Sequence, residues 1–325
     1  METKLMLTRF LALIFIAFLL AGCHRQAIAT REQPVAVAKV RTTQVRTVPR
    51  FNQVIARGRL NVDLHTGYSK PQVILRGAAS DLQQVVTKVQ NGQLLIQIGE
   101  GYPRCGSVSV EVRGHYLNSF TYQGGGVITG SRLHSGLLDL SIDNPGNTTL
   151  GGDIFLRKLD VRGSGNVQIN GVHAHYLQLS MHGKPHVQLT GMANLSMVEL
   201  AGEGWFSMYW IKSDKLKIRA KNKAFMQLAG IANVIDVELW GNAQFKGRYL
   251  RANRAFVKTH DHAVAELSAV KRQHTLATDA SDIYFYNIPE MRTDFMAYNG
   301  AVLDMRDWGF YSLQEYTRYN KSLNN

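Results

Sequence analysis

Polar and apolar residues begin to alternate at Phe51 and keep doing so through most of the chain. Val54-Ile55 and Leu60-Asn61-Val62-Asp63-Leu64 read as half-buried strands, and Gln72-Val73-Ile74-Leu75-Arg76-Gly77 repeats the pattern and ends on a turn glycine. Ser80-Asp81-Leu82-Gln83-Gln84-Val85 opens on residues suited to a helix N-terminus and predicts one helical turn. Asn91-Gly92, ahead of Gln93-Leu94-Leu95-Ile96-Gln97-Ile98, predicts a tight hairpin, because both residues tolerate the positive φ that a two-residue turn requires. A further alternating run, Val108–Val112, completes a β-rich section over residues 51–123.

Beyond Gly124 the pattern becomes self-similar. Asn166-Val167-Gln168-Ile169-Asn170-Gly171 and His186-Val187-Gln188-Leu189-Thr190-Gly191 are near copies, each preceded by a glycine-containing turn. Equivalent strand starts fall near Val127, Thr148, Val167, Val187, Phe206, Met226, Phe245, Val264, Ile283 and Val302, at a spacing of about 19–20 residues. A second apolar pair follows within each unit, as in Leu177-Gln178-Leu179, Leu216-Lys217-Ile218 and Val237-Glu238-Leu239. Each unit is then one coil holding two short strands, which stack in parallel and bury every second side chain. A leucine-rich repeat has a similar period but needs a Leu-rich consensus with an Asn at a fixed place, which this chain lacks. The expectation is an all-β chain: a parallel β-helix over residues 124–303, with the β-rich section 51–123 before it. End coils need covering, and the aromatic, helix-like stretch Trp308–Tyr319 within residues 304–325 is the expected C-terminal cap.

The first 50 residues follow other rules. Lys4 and Arg9 precede an apolar run, Phe10–Leu20, too short to span a bilayer but suited to the core of a secretion signal over residues 1–22. Leu20-Ala21-Gly22-Cys23 looks like the bacterial lipobox, which implies cleavage before Cys23 and a covalent lipid on its thiol. Several acyl chains would anchor the protein stably, and His24, where inner-membrane lipoproteins carry Asp, points to the outer membrane. Residues 23–50 hold Arg25, Arg31, Lys39, Arg41, Arg46 and Arg50 against Glu32 and show no sustained apolar period, so they read as a basic tether. With Cys23 lipidated, Cys105 is the one remaining thiol, which excludes an intrachain disulfide and leaves two readings, a half-buried free thiol or an intermolecular bridge.

Composition adds a constraint on partners. The 325 residues carry a formal charge of +13, and loss of Lys4, Arg9 and Glu2 with residues 1–22 leaves about +12. Such a surface seeks anionic partners. Export argues against nucleic acid and favours lipid headgroups, envelope glycans or acidic protein faces.

Candidate chemistry is sparse. His173-Ala174-His175, His182, His186 and His260-Asp261-His262 could supply metal ligands only if neighbouring coils brought them together, and no metal site is expected. The acidic residues Asp139, Asp143, Asp153, Asp160, Glu199 and Glu203 do not recur at one coil position, so no acid–base pair for glycan cleavage can be nominated, and neither catalysis nor a cofactor is expected beyond the lipid on Cys23. Trp205, Tyr209, Trp210 and Trp240 fall on successive coils beside Lys212, Lys215, Lys217, Arg219, Lys221 and Lys223, a combination that suits a sugar- or protein-binding face. Large residues filling an irregular core beside a solvated charged corner would give the same pattern.

Phe51-Asn52-Gln53-Val54 followed by Gly58-Arg59-Leu60-Asn61-Val62-Asp63-Leu64 resembles the opening of the head GIN domain family, labelled as an auto-transporter adhesin head and largely unassigned in function. The resemblance continues through Val73–Gly77, Asn91–Ile96 and the Gly163-Ser164-Gly165-Asn166-Val167 repeat, and covers roughly residues 51–230. It implies fold and envelope location rather than chemistry. Later coils depart from the Gly-Ser-Gly corner, with Lys221-Asn222-Lys223 and His260-Asp261-His262 in its place. Two functions follow as expectations. The first is a scaffold subunit of an envelope assembly, such as a secretion-system outer-membrane complex, favoured by the basic tether and Cys105. The alternative is a surface adhesin-like or glycan-binding lipoprotein.

Overall fold

The computed structural model describes residues 40–286, 291–307 and 309. They form a parallel β-solenoid. Strands β1 (Arg41–Thr47), β2 (Gln53–Arg57), β3 (Leu60–His65) and β4 (Gln72–Ala78) come first, then one short helical turn, α1 (Ala79–Leu82). Hairpin β5 (Val85–Gln90) and β6 (Gln93–Ile98) follows, then β7 (Val108–Arg113) and β8 (Ser119–Gln123). The Asn91-Gly92 turn has φ of 51° and 74°, as the hairpin reading required.

These short strands are already rungs of the solenoid. β3 lies parallel to β7 on one column, and β2 lies parallel to β6 and β8 on the other. The N-terminal end is closed by antiparallel pairs, β1 on β4, β4 on β7, and β5 on β6. Part of the expected tether therefore belongs to the sheet. β1 pairs along its whole length with β4, and Arg46, near its end, fastens it by donating to the Val85 carbonyl at 2.6 Å, to Thr87 Oγ1 and to the Leu82 carbonyl. Arg41 is likewise engaged, with the Ser107 carbonyl at 3.0 Å.

Eight long strands then stack in parallel, each one coil: β9 (Ile128–Asp143), β10 (Thr148–Gly163), β11 (Asn166–Gly183), β12 (His186–Gly202), β13 (Trp205–Asn222), β14 (Phe225–Leu239), β15 (Gln244–Thr259) and β16 (Val264–Ala277). β17 (Asp282–Tyr286), β18 (Arg292–Ala297) and β19 (Val302–Arg306) continue the two columns. The two strands expected per coil are joined into one hydrogen-bonded run with a bulged bend, where the register shifts, for example between Leu189 and Ala193. We call the halves before and after the bend the first and second arms.

The inward column of the first arm is Ile128, Thr148, Val167, Val187, Phe206, Met226, Phe245, Ala265 and Ile283, all buried. The sequence reading put strand starts near Val127, Val264 and Val302, and β16 and β19 do start at Val264 and Val302, with β9 starting at Ile128. The ladder position is the next residue in each case, and in a strand one residue is the other face. Val127 and Val302 are accordingly 45% and 47% exposed.

Coils turn into one another through a residue in the left-handed conformation. The position is Gly163, Gly183 and Gly202, then Asn222 (φ 66°), Gly241 and Asp261 (φ 59°). Asn and Asp are the side chains best tolerated at positive φ. This is why the later coils abandon the Gly-Ser-Gly corner without abandoning the coil. Residues 1–39 and, Gly309 apart, the expected cap Trp308–Tyr319 lie outside the described residues. Among the described residues no helix is long and apolar enough to cross a membrane.

Candidate functional site

Alternation along a strand, repeated in register, turns the outer surface into ladders of equivalent residues. On this surface charge is paired at several places, on both arms and at the corners. Arg219 donates to both carboxylate oxygens of Asp236 at 3.1 and 3.2 Å and lies 3.2 Å from Glu238. Asp139 pairs with Arg157, Lys184 with Glu203 at 2.9 Å, and Lys246 with Glu266 at 2.6 Å. Glu111 lies between Arg76 and Arg113.

These pairings set the carboxylate chemistry. Burial works to raise the Glu111 pKa, but hydrogen bonds and charge from Arg76 and Arg113 outweigh it and hold the group below its ordinary value. Glu203 is held down by its hydrogen bond from Lys184, and Asp279 by those from Thr278 and the Asp261 amide. A general acid for glycoside hydrolysis needs the opposite displacement.

The four aromatic candidates do not share one face. Trp205 opens the first arm of β13 and is sandwiched between rings of the coils on either side. His186 stacks on it at 4.0 Å and 12°, and Phe225 lies at 6.3 Å and 3°. Both faces of this indole are covered, so it offers only an edge. Tyr209 and Trp210 sit at the bend of the same coil, where Trp210 takes φ 63° and is 44% exposed. The coil after it places Gly230 at this bend. Trp240 directly follows the last residue of β14, across the coil corner from the Trp205 column. His260 of the next coil stacks on one of its faces at 5.7 Å and 15°. On the face toward the preceding coils, the Lys221 ammonium lies 5.0 Å from the ring centre.

Trp240 belongs to an outward column that the sequence reading did not assemble: His182, Ala201, Lys221, Trp240 and His260, one from each successive coil. Four are long or aromatic, and Ala201 is not. Where the small residue falls the surface drops into a hollow of about 330 Å³, with Leu200 and Ala201 in its floor and His182, Glu199, Lys221 and Trp240 around it. Ala201 and Glu199 carried no signal in isolation. Only the register reveals that a methyl group interrupts a column of bulky side chains.

A second depression, of about 370 Å³, lies at the bend near Lys212 and Arg251. There Asn253 donates to Asn233 at 3.0 Å and Asn233 to Asp214 at 2.9 Å, so the amides are engaged with one another.

The remaining candidates disperse. His173 and His175 lie against Phe155 at the bend, His182 contacts Ser180, and His186 is in the Trp205 stack. Among the described residues no three His, Cys, Asp or Glu side chains are grouped to hold a metal ion. Cys105 is half-buried in a loop pinned from below. The buried Asp81 carboxylate accepts the Arg104 and Cys105 amides at 3.1 and 2.7 Å, and Ser80 Oγ lies 3.6 Å from the Cys105 sulfur. Cys23 lies outside the described residues.

Comparison with known proteins follows the fold. The family model described as "Putative auto-transporter adhesin, head GIN domain" matches residues 50–209 and again 155–289. Solved structures with a similar fold include a putative adhesin from Parabacteroides merdae, 14% identical, covering 82% of this chain and 96% of that one, with a TM-score of 0.44. Others are a putative adhesin (12%, 83% and 95%, 0.45) and a putative lipid binding protein (12%, 83% and 97%, 0.43), both from Parabacteroides distasonis. Such overlaps are loose, and the assignment rests on the family match. No curated protein matches the chain.

Proposed function

Because the chain belongs to the head GIN domain family, we propose that it is a non-catalytic, adhesin-like binding protein of the cell envelope, directed at glycans. In this reading it is held at the outer membrane by lipid on Cys23.

The observation that carries the reading is how the surface spends its charge. Glu111, Asp139, Asp236 and Glu266 are held by arginine or lysine. Among the described residues Glu199 is the one carboxylate lining the hollow, with no second acid in that lining to complete an acid–base pair. What remains is a rigid ladder surface interrupted by a hollow with an aromatic wall. Such a surface binds without turning over.

The sequence alone leaned toward an assembly subunit, on the strength of the basic tether and Cys105. Both supports weaken. Arg41 and Arg46 are used within the domain, and the Cys105 loop is fastened to Asp81. One observation still favours the scaffold reading. Among the described residues β1 is paired only with β4, so its other edge could receive a strand of a partner.

The test is affinity purification of full-length protein from gently solubilised membranes, with Cys23→Ser as control, alongside a glycan array. Glycan capture without a stoichiometric protein partner supports the proposal. Stoichiometric envelope proteins that disappear in the control, with a blank array, would replace it with the scaffold.

A further inference from the structure

We infer that the hollow at Ala201 is a subsite for one neutral pyranose ring of a glycan, a site that rests on the glycan-directed reading and gives it an address. Four features converge there. The first is a platform. The apolar C–H face of a pyranose needs an aromatic face, and Trp240 turns one toward the hollow while His260 backs the other. The covering group on the open side is the Lys221 ammonium, at the end of a flexible chain that a ligand can displace into a hydrogen bond.

The second is the polar rim. Sugar hydroxyls both donate and accept, so a site needs both partners. Glu199 supplies acceptors, and among the described contacts its carboxylate has neither an ion pair nor a hydrogen bond. Lys221 supplies donors, and His182, hydrogen-bonded to Ser180 at 3.2 Å, can supply either.

The third is charge. Arg219 also borders the hollow but is already neutralised by Asp236 and Glu238. With Glu199 and Lys221 added, the neighbourhood holds three acids against two bases. A site with this small excess of acid favours a neutral sugar over an acidic one.

The fourth is size and stiffness. His182 and Trp240 stand three rungs apart, or about 14 Å at the usual strand spacing, with Ala201 and the displaceable Lys221 on the rungs between. With the Lys221 side chain swung aside, a pyranose ring stacked on Trp240 fits over a floor fixed by the ladder. A pre-formed floor loses little freedom on binding. Trp205, with both faces stacked, meets none of these conditions.

The test uses the full chain in a sugar-free zwitterionic detergent and three probes: methyl β-glucopyranoside, methyl β-galactopyranoside and methyl N-acetyl-β-glucosaminide. Saturation-transfer NMR and tryptophan quenching read binding, with affinities of millimolar order expected for one ring. Ala201→Trp fills the hollow on an outward position, and Trp240→Leu removes the platform. At least one probe should bind wild type, and each variant should weaken it by about tenfold or more with an unchanged denaturation midpoint. Glu199→Gln, a milder change, should weaken binding without touching the fold.

Absence of binding by every probe overturns the subsite. So does equal binding by wild type and Ala201→Trp. A glycan array run with the same samples separates the two levels. Array capture that survives Ala201→Trp removes this site but leaves a glycan-directed protein, whereas a blank array removes both.

Discussion

If the coils are held apart by backbone alone at the bend, a single methyl group there should do more damage than the loss of many surface contacts. Gly191 bends β12 with φ +139°, and a Cβ on it would stand 2.1 Å from the Val172 carbonyl oxygen and 2.6 Å from the Val172 nitrogen. Both atoms belong to the backbone of the coil below, so no rotamer change relieves the overlap. An L side chain in this region of φ costs about 1–3 kcal/mol. Lifting the rung by the ångström or so required breaks one or two ladder hydrogen bonds, at about 1 kcal/mol each. Gly191→Ala should therefore destabilise the solenoid by about 2–5 kcal/mol. Two controls divide the effect. Gly67 has φ +89° but nothing within 4 Å of the new Cβ, so Gly67→Ala carries strain alone, about 1–2 kcal/mol. At Gly125 the nearest atoms are side chains at 3.8 and 3.9 Å, and Gly125→Ala should fall within about 0.5 kcal/mol of wild type. Guanidinium unfolding followed by circular dichroism ranks the three, and amide exchange across β11 and β12 localises the opening, which matters because stacked repeats can lose cooperativity. Gly191→Ala unfolding at the same denaturant concentration as Gly67→Ala would refute the backbone-contact argument.

At the coil corner, Asn222→Gly should hold or raise the unfolding midpoint, while Asn222→Val should lower it by about 1–2 kcal/mol, because a β-branched residue resists φ 66°. The Glu111 carboxylate is held below its ordinary pKa in the folded state, so its contribution is present above the unfolded value and lost as pH falls through the folded one. The stability gap between wild type and Glu111→Gln should accordingly be widest near neutrality and close in acid; a gap independent of pH would contradict the assignment. Gln273 is fully buried, and among the described residues neither end of its amide meets a hydrogen-bond partner. Gln273→Met, similar in length and apolar, should raise the midpoint by about 1–3 kcal/mol, and a lower midpoint would mean that the amide is satisfied in the native protein.

The solenoid was legible because its two periods reinforce one another. Alternation told inside from outside, and the near-copies at Val167 and Val187 set the step between coils. Both residues are buried where that reading placed them. Strand starts were legible, but not the facing where the local pattern was degenerate. Val127, Val264 and Val302 are apolar and precede another apolar residue, so alternation alone could not say which of the two faces inward. The partners decided it. Ile128, Ala265 and Leu303 hold the ladder positions opposite Thr148, Phe245 and Ile283. The tether's boundary was misplaced for a different reason. Arg41-Thr42-Thr43-Gln44-Val45-Arg46-Thr47 has almost no apolar content, because β1 is an edge strand whose stability comes from β4 and from the reach of Arg46.

The hollow was illegible for a reason that belongs to solenoids in general. Along its column the steps from His182 to Ala201, Lys221, Trp240 and His260 are 19, 20, 19 and 20 residues. Counting by a fixed 20 from His182 leads instead to Gly202, Asn222, Asn242 and His262, which are corner residues with no surface in common with Trp240. A fixed 19 leads to Ala220 and Leu239, which are buried. Neither count can find the site, and searching for large aromatic residues finds Trp205 as readily as Trp240, although stacking leaves only one of them a face to offer. A binding site on a stacked surface is defined by where bulk is missing from a column, and the column exists only once each corner has declared whether it adds a residue. The alternation of Gly202, Asn222, Gly241 and Asp261 at positive φ is therefore part of the site's specification: it keeps Ala201 beneath Lys221 and Trp240.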